Sequence, residues 1–268
     1  MFHMRRVLLV AVALGAVGVS ALAQAPAPGT PRALSPIDLT GNWVSIVTED
    51  WRFRMVTPPK GDYASVPLNG AARAVADKWD PAADEAAGNA CKSYGAGNIM
   101  RVPGRLHISW QDDTTLKIET DAGQQTRLLH VTGTPGGDPS WQGYSQANWE
   151  MAGGNPFGGG GGGGRGGGGG GGRGAAGGPP PAPRGGSLKV VTTRLKEGYL
   201  RKNGVPYSEN ATVTEYFDRH SESNGDEWFT VTTIVDDPKY LAQSFITSTH
   251  FKKEPDAAKW NPSPCTAR

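Results

Sequence analysis

The chain has 268 residues, and a leader of 23 residues plus a long glycine-rich block leave about 210 residues to fold. That length suits one large all-β domain or two small ones. Lys and Arg number 27 and Asp and Glu number 25, but Arg5 and Arg6 fall in the leader, so the remaining chain has no net charge. This neutrality excludes a basic nucleic-acid footprint and a polybasic membrane patch, and the eight Trp residues exclude wholesale disorder.

The first 23 residues have the composition of a signal peptide. Met1 to Arg6 form a short positive segment, and an unbroken run of apolar or small residues extends from Val7 to Val19. Small residues at Ala21 and Ala23, three and one positions before Gln24, predict cleavage before Gln24. The apolar run is too short to span a bilayer, and no later run approaches about 18 apolar residues. We therefore expect a soluble periplasmic or secreted protein without a transmembrane anchor after cleavage.

The two cysteines, Cys91 and Cys265, lie far apart in a chain that is predicted to reach an oxidising compartment. A disulfide between them would fasten the Pro-rich C-terminal tail to the body of the protein. The alternatives are two free thiols or a catalytic nucleophile. Two cysteines cannot form a structural zinc site alone, and no His or Glu spacing indicates a metal, so we expect neither metal nor cofactor.

Composition divides the rest of the chain into three parts. Residues 24–37 are rich in Ala and Pro and indicate a flexible spacer. Residues 38–268 form the folded domain, interrupted at 153–186 by a glycine-rich segment that we expect to be a disordered insert. Such a segment has almost no side chains to bury, and a hairpin can carry it at a cost of roughly 1–2 kcal/mol.

Short β-type runs dominate the domain and predict about ten strands. One or two short helices are predicted in the Ala-rich segments Asn69–Trp79 and Asp84–Tyr94, with Asn69 and Asp80-Pro81 as start signals. The predicted strands outside the central hairpins are Gly41–Val47, Trp51–Thr57, Tyr144–Glu150, Leu188–Leu195, Ala211–Arg219, Glu227–Val235 and Leu241–Phe251. Many short strands with hairpin turns indicate a closed barrel or a sandwich, and we favour an antiparallel, lipocalin-like β-barrel of 8–10 strands.

The central hairpins allow a prediction of register. Three-residue loops at both turns would place Trp110 opposite Leu116 and Leu116 opposite Leu128. The apolar residues then share one face with His130, whereas Arg127 faces outward, because a slip by one residue reverses every side chain.

Gly41-Asn42-Trp43 resembles the Gly-x-Trp signature of lipocalin-like barrels. In that family the Trp closes one end of the barrel under a basic residue of the last strand. The resemblance implies that a Lys of the segment His250-Phe251-Lys252-Lys253 takes that place here.

A second resemblance covers nearly the whole mature chain. The segments that carry it are Leu39 to Trp43, Gly97 to Met100, Asn148-Trp149-Glu150, Gly204-Val205-Pro206-Tyr207-Ser208-Glu209, Val213 to Tyr216 and Asp237-Pro238. They look like a family of exported bacterial proteins common in soil proteobacteria and acidobacteria. Members of that family continue from Trp-Glu straight into a strand, so the glycine-rich block resembles an insertion. The resemblance implies the fold and the compartment, and it implies no activity.

Two residues are candidates for chemistry. Glu215 lies on the same face of its strand as Val213 and Phe217, so we expect its carboxylate to point inward. Such a carboxylate is either a general acid or base or one partner of a structural ion pair. His130 is either a base or a hydrogen-bonded core residue. Trp110, Trp149 and Tyr207 are candidates for lining a ligand site together with these two residues, and ordinary packing is the alternative for each aromatic.

Two classes of function follow from a barrel of this size. The first is a protein that binds a small hydrophobic molecule in the barrel interior. The second is a cofactor-independent lyase or isomerase that uses Glu215 or His130. A weaker third is a surface or matrix protein that presents the glycine-rich segment.

Overall fold

The computed structural model describes residues 29–151 and 186–268. The strands are β1 (Gly41–Ile46), β2 (Arg105–Trp110), β3 (Thr115–Thr120), β4 (Thr126–His130), β5 (Tyr144–Met151), β6 (Gly186–Thr193), β7 (Gly198–Arg201), β8 (Val205–Tyr207), β9 (Thr212–Ser221), β10 (Glu227–Asp236) and β11 (Phe245–Glu254). The helices are α1 (Trp51–Arg54), α2 (Gly70–Ala76) and α3 (Pro81–Ala86), followed by the 3-10 turns Ala90–Tyr94 and Ile99–Arg101. The predicted signal peptide lies outside the described residues.

Nine of the described strands close into a barrel, which confirms the all-β barrel prediction. Their order is β1-β11-β10-β9-β6-β5-β4-β3-β2, and β2 pairs with β1 to complete the circle. The ladders are antiparallel except that β4 and β5 pair in parallel at Leu129 and Ser145. We call the end at which β1 finishes and β2 begins the pocket end, and the opposite end the far end. Strands β7 and β8 form a separate hairpin. None of the described helices is long and apolar enough to cross a membrane.

The first central hairpin has the predicted register and the second does not. Trp110 pairs with Leu116, as a three-residue loop requires. At the second turn, however, Leu116 pairs with Leu129, one residue further than predicted. The backbone N–H of Thr120 donates to the carbonyl of Gln125, so four residues form the loop. As a result Arg127 faces the interior and His130 faces outward, which reverses both predicted orientations.

The segment Trp51–Thr57 is the one predicted strand that does not form. Asp50 has a left-handed backbone conformation with φ of 49°, which turns the chain away from β1 into the single helical turn α1. The Arg54 side chain then folds back, and its Nε–H donates to the carbonyl of Arg101. The predicted start signals are confirmed, since Asn69 caps α2 and Asp80 caps α3.

Two hydrophobic clusters stabilise the described part of the chain. The first fills the barrel and includes an aromatic group at the far end, where Trp43 and Phe251 both contact Phe229 at centroid distances of 4.7 and 4.8 Å. Lys253 of the last strand lies over the ring of Trp43 at 5.5 Å, the contact that the Gly-x-Trp resemblance implies. The second cluster covers the pocket end, where α2 and the β7–β8 hairpin pack over the barrel.

The segments on either side of the predicted domain boundaries are partly described. Residues 29–37 contact the barrel, because the N–H of Arg32 donates to the carbonyl of Asp113 and Ile37 packs against the first cluster. The glycine-rich residues 152–185 lie outside the described residues. Gly186, the last residue of the predicted insert, belongs to β6 and pairs with Met151.

Deletion of residues 152–185, with a short turn joining Met151 to Gly186, is expected to leave the protein folded. These two residues are already paired at the end of an antiparallel ladder, so a tight turn can connect them. The free energy of unfolding, measured by urea titration, is expected to change by no more than about 1–2 kcal/mol. Loss of the cooperative transition would show that the segment contributes to the fold.

Candidate functional site

A pocket of about 420 Å³ opens at the pocket end of the barrel, between α1, the 3-10 turns, the end of β7 and the C-terminal tail. Its lining residues come from five separate segments of the chain. They are Phe53, Arg54, Met55, Val56, Thr57, Tyr94, Asn98, Arg101, Val102, Pro103, Ala122, Arg201, Lys202, Ser263, Pro264 and Thr266.

The C-terminal tail forms one wall of this pocket and is fixed by the predicted disulfide. Cys91 and Cys265 are bonded, with their Cα atoms 5.1 Å apart, which confirms the pairing and excludes free thiols. Backbone hydrogen bonds join Ser263 to Asp121 and Gly123 in the β3–β4 loop. The disulfide therefore holds in place the segment that contributes Ser263, Pro264 and Thr266 to the pocket.

The pocket lining is strongly cationic. It contains Arg54, Arg101, Arg201 and Lys202, and none of the described residues that line it is acidic. Arg54 forms an ion pair with Glu49, and Arg101 donates two hydrogen bonds to Asp50, at 3.1 and 3.2 Å. Burial lowers the pKa of both Arg54 and Arg101, while these carboxylates oppose that shift.

Arg201 is buried without an equivalent carboxylate partner. Its side chain stacks on Phe53 at 3.9 Å from the ring centroid, and its Nη1–H donates to the carbonyl of Ala64 at 2.6 Å. Its Nε and Nη2 atoms are buried and have no hydrogen-bond partner among the described residues. Burial and the nearby charge of Arg101 lower the pKa of Arg201 to about 10. At neutral pH this guanidinium is charged, so its burial costs stability.

A second cation contacts the phenol of Tyr94. Lys202 Nζ donates to the Tyr94 hydroxyl at 2.8 Å and lies 3.4 Å from the Thr266 hydroxyl. Burial alone would raise the pKa of Tyr94, but the hydrogen bonds from Lys202 and Thr266 outweigh it, and the pKa lies below its ordinary value. These contacts connect β7 to the C-terminal tail across the pocket.

The remaining wall is apolar and open to solvent. Met55 and Val56, which directly follow α1, are 59% and 65% exposed, and Val102 and Pro103 lie in the same lining. Exposed apolar side chains that rim a concave, charged pocket are typical of a ligand-binding surface.

Glu215 lies inside the barrel as its strand phase predicts, and its partner is Arg127. The two guanidinium nitrogens Nη1 and Nη2 donate to Oε1 and Oε2 at 3.0 and 2.6 Å, and both side chains are fully buried. Thr192 accepts a further hydrogen bond from Nη2 at 3.4 Å and hydrogen-bonds Ser145 at 2.7 Å. This geometry is that of a structural ion pair, the alternative to a general acid or base.

His130 lies on the outer surface of the barrel. Its ring stacks on Tyr144 with centroids 4.7 Å apart, and its Nδ1 lies 3.5 Å from the Thr115 hydroxyl. The prediction of an inward His130 beside Trp110 is wrong, because the longer β3–β4 loop shifts the register by one residue.

The three aromatic candidates are separate from the pocket. Trp110 and Trp149 pack against the cluster that fills the barrel. Tyr207 is fully buried in the second cluster, where Gly95 and Gly198 leave room for its hydroxyl: an added Cβ at either glycine would lie within 2.5 Å of that oxygen. Burial raises the pKa of Tyr207. None of the five candidate ligand residues lines the pocket.

Comparison with protein-family models, with curated proteins and with solved structures finds no match. Within residues 29–151 and 186–268, no group of three His, Cys, Asp or Glu side chains is placed to hold a metal ion. The candidate site therefore rests on its own geometry.

Sequence reasoning missed the arginines of the pocket. Arg101 follows the resemblance segment Gly97 to Met100 and begins no recognisable motif, and Arg201 lies on β7, a four-residue strand that was not predicted. The adjacent cations Arg201-Lys202 near Gly204 are the one local feature that draws attention to this segment. A basic pair at a tight turn, however, usually indicates an exposed surface. The structure shows instead that Arg201 is 1% exposed.

The substitution Glu215→Gln is expected to destabilise the protein by roughly 3–5 kcal/mol, because Arg127 would be left as a buried charge without a carboxylate. Urea denaturation measures the change. The matched control is Glu150→Gln, whose side chain is half exposed and pairs with Lys189 at the surface, and we expect a change within about 0.5 kcal/mol. Replacing both partners, as Arg127→Met with Glu215→Leu, is expected to recover most of the stability. If Glu215→Gln matches the wild type, the pair does not stabilise the barrel.

Replacing Cys91 and Cys265 with Ser is expected to lower the free energy of unfolding by several kcal/mol, with roughly 5 kcal/mol as the upper limit for a loop of 174 residues. Amide hydrogen exchange is expected to increase at residues 263–267 more than in the barrel strands, since the tail loses its covalent attachment. A reducing agent should loosen the wild-type tail and leave the double variant unaffected. Unchanged exchange in the tail would show that its hydrogen bonds hold it without the disulfide.

Proposed function

We propose that this protein is an exported barrel protein that binds a small, largely hydrophobic molecule at the pocket end of the barrel. Export is supported by the composition of the first 23 residues and by the disulfide between Cys91 and Cys265, which is typical of oxidising compartments. The binding site is supported by the pocket described above, whose volume of about 420 Å³ lies in the ordinary range for small-molecule sites.

The barrel lumen is filled by side chains, which favours the pocket end as the place of binding. Large side chains occupy the lumen, among them Trp43, Phe217, Phe229 and Phe251, each no more than 1% exposed. The Arg127–Glu215 pair spans the same interior from β4 to β9. A barrel filled in this way serves as a rigid support, and binding is then carried by the loops at its end.

The observation that carries the proposal is the exposed apolar wall of the pocket. Leaving Met55 and Val56 in water forgoes the free energy that burial of their apolar surface provides, and a bound apolar molecule would recover it. The segment is fixed rather than loose, because Arg54 immediately before it bonds to Ser45, Glu49 and the carbonyl of Arg101. The wall is therefore preorganised for a ligand.

The enzymatic alternative has no comparable support. Glu215 is committed to Arg127 inside the packed barrel, and His130 lies on the outer face. Neither residue lines the pocket, so neither can reach a molecule bound there. The third alternative, an interaction through the glycine-rich segment, concerns residues outside the described ranges.

Native mass spectrometry of protein purified from its own cells tests the proposal most directly, since a retained small molecule would be seen as a discrete mass increment.

A defined probe is octanol, whose binding can be measured by isothermal titration calorimetry. Met55→Lys is expected to weaken octanol binding at least about tenfold, because it places a charge on the apolar wall.

The matched control is Ile246→Lys, since Ile246 is an equally exposed apolar residue outside the pocket lining. This variant is expected to bind octanol as the wild type does. Equal loss of binding in both variants, or no binding of octanol by the wild type, would contradict a hydrophobic site at the pocket end.

A further inference from the structure

We infer that the ligand carries an anionic group, a carboxylate or a phosphate, that is held by the cationic lining around Arg201. The inference rests on the proposed function, since it names the chemistry of the molecule bound at the same pocket. The ligand class is thus an amphiphilic acid, with an apolar part against Met55 and Val56 and an acidic group beside Arg101, Arg201 and Lys202.

The charges that face the pocket do not balance. Four of its lining side chains are cations and none of the described lining residues is an acid. The carboxylates that lie near these cations are already engaged: Glu49 with Arg54, Asp50 with Arg101, and Asp62 with Arg52. A concave site lined by one sign of charge attracts a ligand of the opposite sign, and the low dielectric of its walls strengthens that attraction.

The lack of negative charge is greatest around Arg201. It is 1% exposed, yet two of its nitrogen atoms lack a hydrogen-bond partner among the described residues. A buried cation without a carboxylate destabilises the folded protein, and such a residue in a pocket is a candidate for binding an anion. Asp50 and Asp62 act on Arg201 only as more distant charges, since both are paired elsewhere. An anion in the pocket would supply the missing charge.

The packing of Arg201 indicates that its position is fixed before a ligand arrives. Its guanidinium stacks on Phe53 and donates to the carbonyl of Ala64, contacts that use one face and one nitrogen of the group. Arg is well suited to carboxylates and phosphates because its planar group presents several N–H donors in a fixed geometry. Lys202, the next residue, adds a second cation that is already oriented by the Tyr94 hydroxyl.

Isothermal titration calorimetry with four probes that share one alkyl chain tests the inference. The probes are octanol, octanoate, octyl phosphate and octylammonium. The wild type is expected to bind octanoate or octyl phosphate at least about tenfold more tightly than octanol, and octylammonium more weakly than octanol. The stronger of the two acids identifies whether a carboxylate or a phosphate is the preferred group. Added salt should reduce binding of the acids and leave octanol unaffected.

Arg201→Met keeps the length of the side chain and removes its charge. We expect this variant to bind octanoate and octyl phosphate no better than it binds octanol, so that the wild-type preference for the acids is lost. Its unliganded melting temperature should not fall, because an unpaired buried cation has been removed. Arg73→Met, an exposed site on α2 outside the pocket lining, is the control and should leave every affinity unchanged. If Arg201→Met fails to fold, Lys202→Met and the salt dependence of the wild type give the same test.

The outcomes separate this inference from the proposed function. If octanol binds and both acids bind no better, the acidic group is excluded while the hydrophobic site stands. If Arg201→Met weakens octanol and octanoate equally, Arg201 shapes the pocket and does not recognise charge, and the inference is wrong. If none of the four probes binds to the wild type, both the inference and the proposed function fail.

Discussion

The buried ion pair between Arg127 and Glu215 constrains how the strands of the barrel are oriented. It joins β4 to β9 across the interior, although two other strands separate them in the sheet. Glu215 is fully buried, so Arg127 cannot turn outward without leaving a buried carboxylate unpaired. The inward position of Arg127 requires the four-residue β3–β4 loop, because a three-residue loop would expose Arg127 and bury His130. One polar pair thus fixes the orientation of a whole strand.

The pair also lies where the two hydrophobic clusters of the described chain meet. Its neighbours on β9 are Val213, which belongs to the cluster at the pocket end, and Phe217, which belongs to the cluster inside the barrel. The pocket-end layer is held by specific contacts of the Gly204–Glu209 segment. Gly204 has a positive φ of 80° and lies so close to Trp79 that a Cβ would overlap its side chain. Ser208 binds the Asp237 carboxylate through its N–H and its hydroxyl, at 2.6 and 2.8 Å. These contacts give the motif a structural role.

Under the proposed function, stability and binding are divided between two parts of the molecule. The filled barrel supplies a rigid frame, and the cationic pocket is assembled at its end from segments that are far apart in the chain. The disulfide completes this arrangement by holding the tail that carries Pro264 and Thr266. A frame of this kind favours binding, since the loops that contact a ligand lose little conformational freedom when it arrives. Among the described residues, Arg201 is a buried cation without a carboxylate partner, whereas the buried Arg127–Glu215 pair inside the barrel is complete.

The sequence by itself determined the features that depend on local patterns. Alternation of apolar residues located most strands, Asn69 and Asp80 marked the helix starts, and the phase of Val213 and Phe217 placed Glu215 inside. Two cysteines in a chain with a predicted leader were enough to predict their bond. Tertiary structure alone decided the length of the β3–β4 loop, and with it the partner of Glu215 and the outward position of His130, because both loop lengths are compatible with Asp121-Ala122-Gly123. It also decided the pocket: Arg101 lies about a hundred residues before Arg201 and Lys202 in the chain. The closure of the barrel and the packing of the β7–β8 hairpin over its end bring the three cations to one cavity.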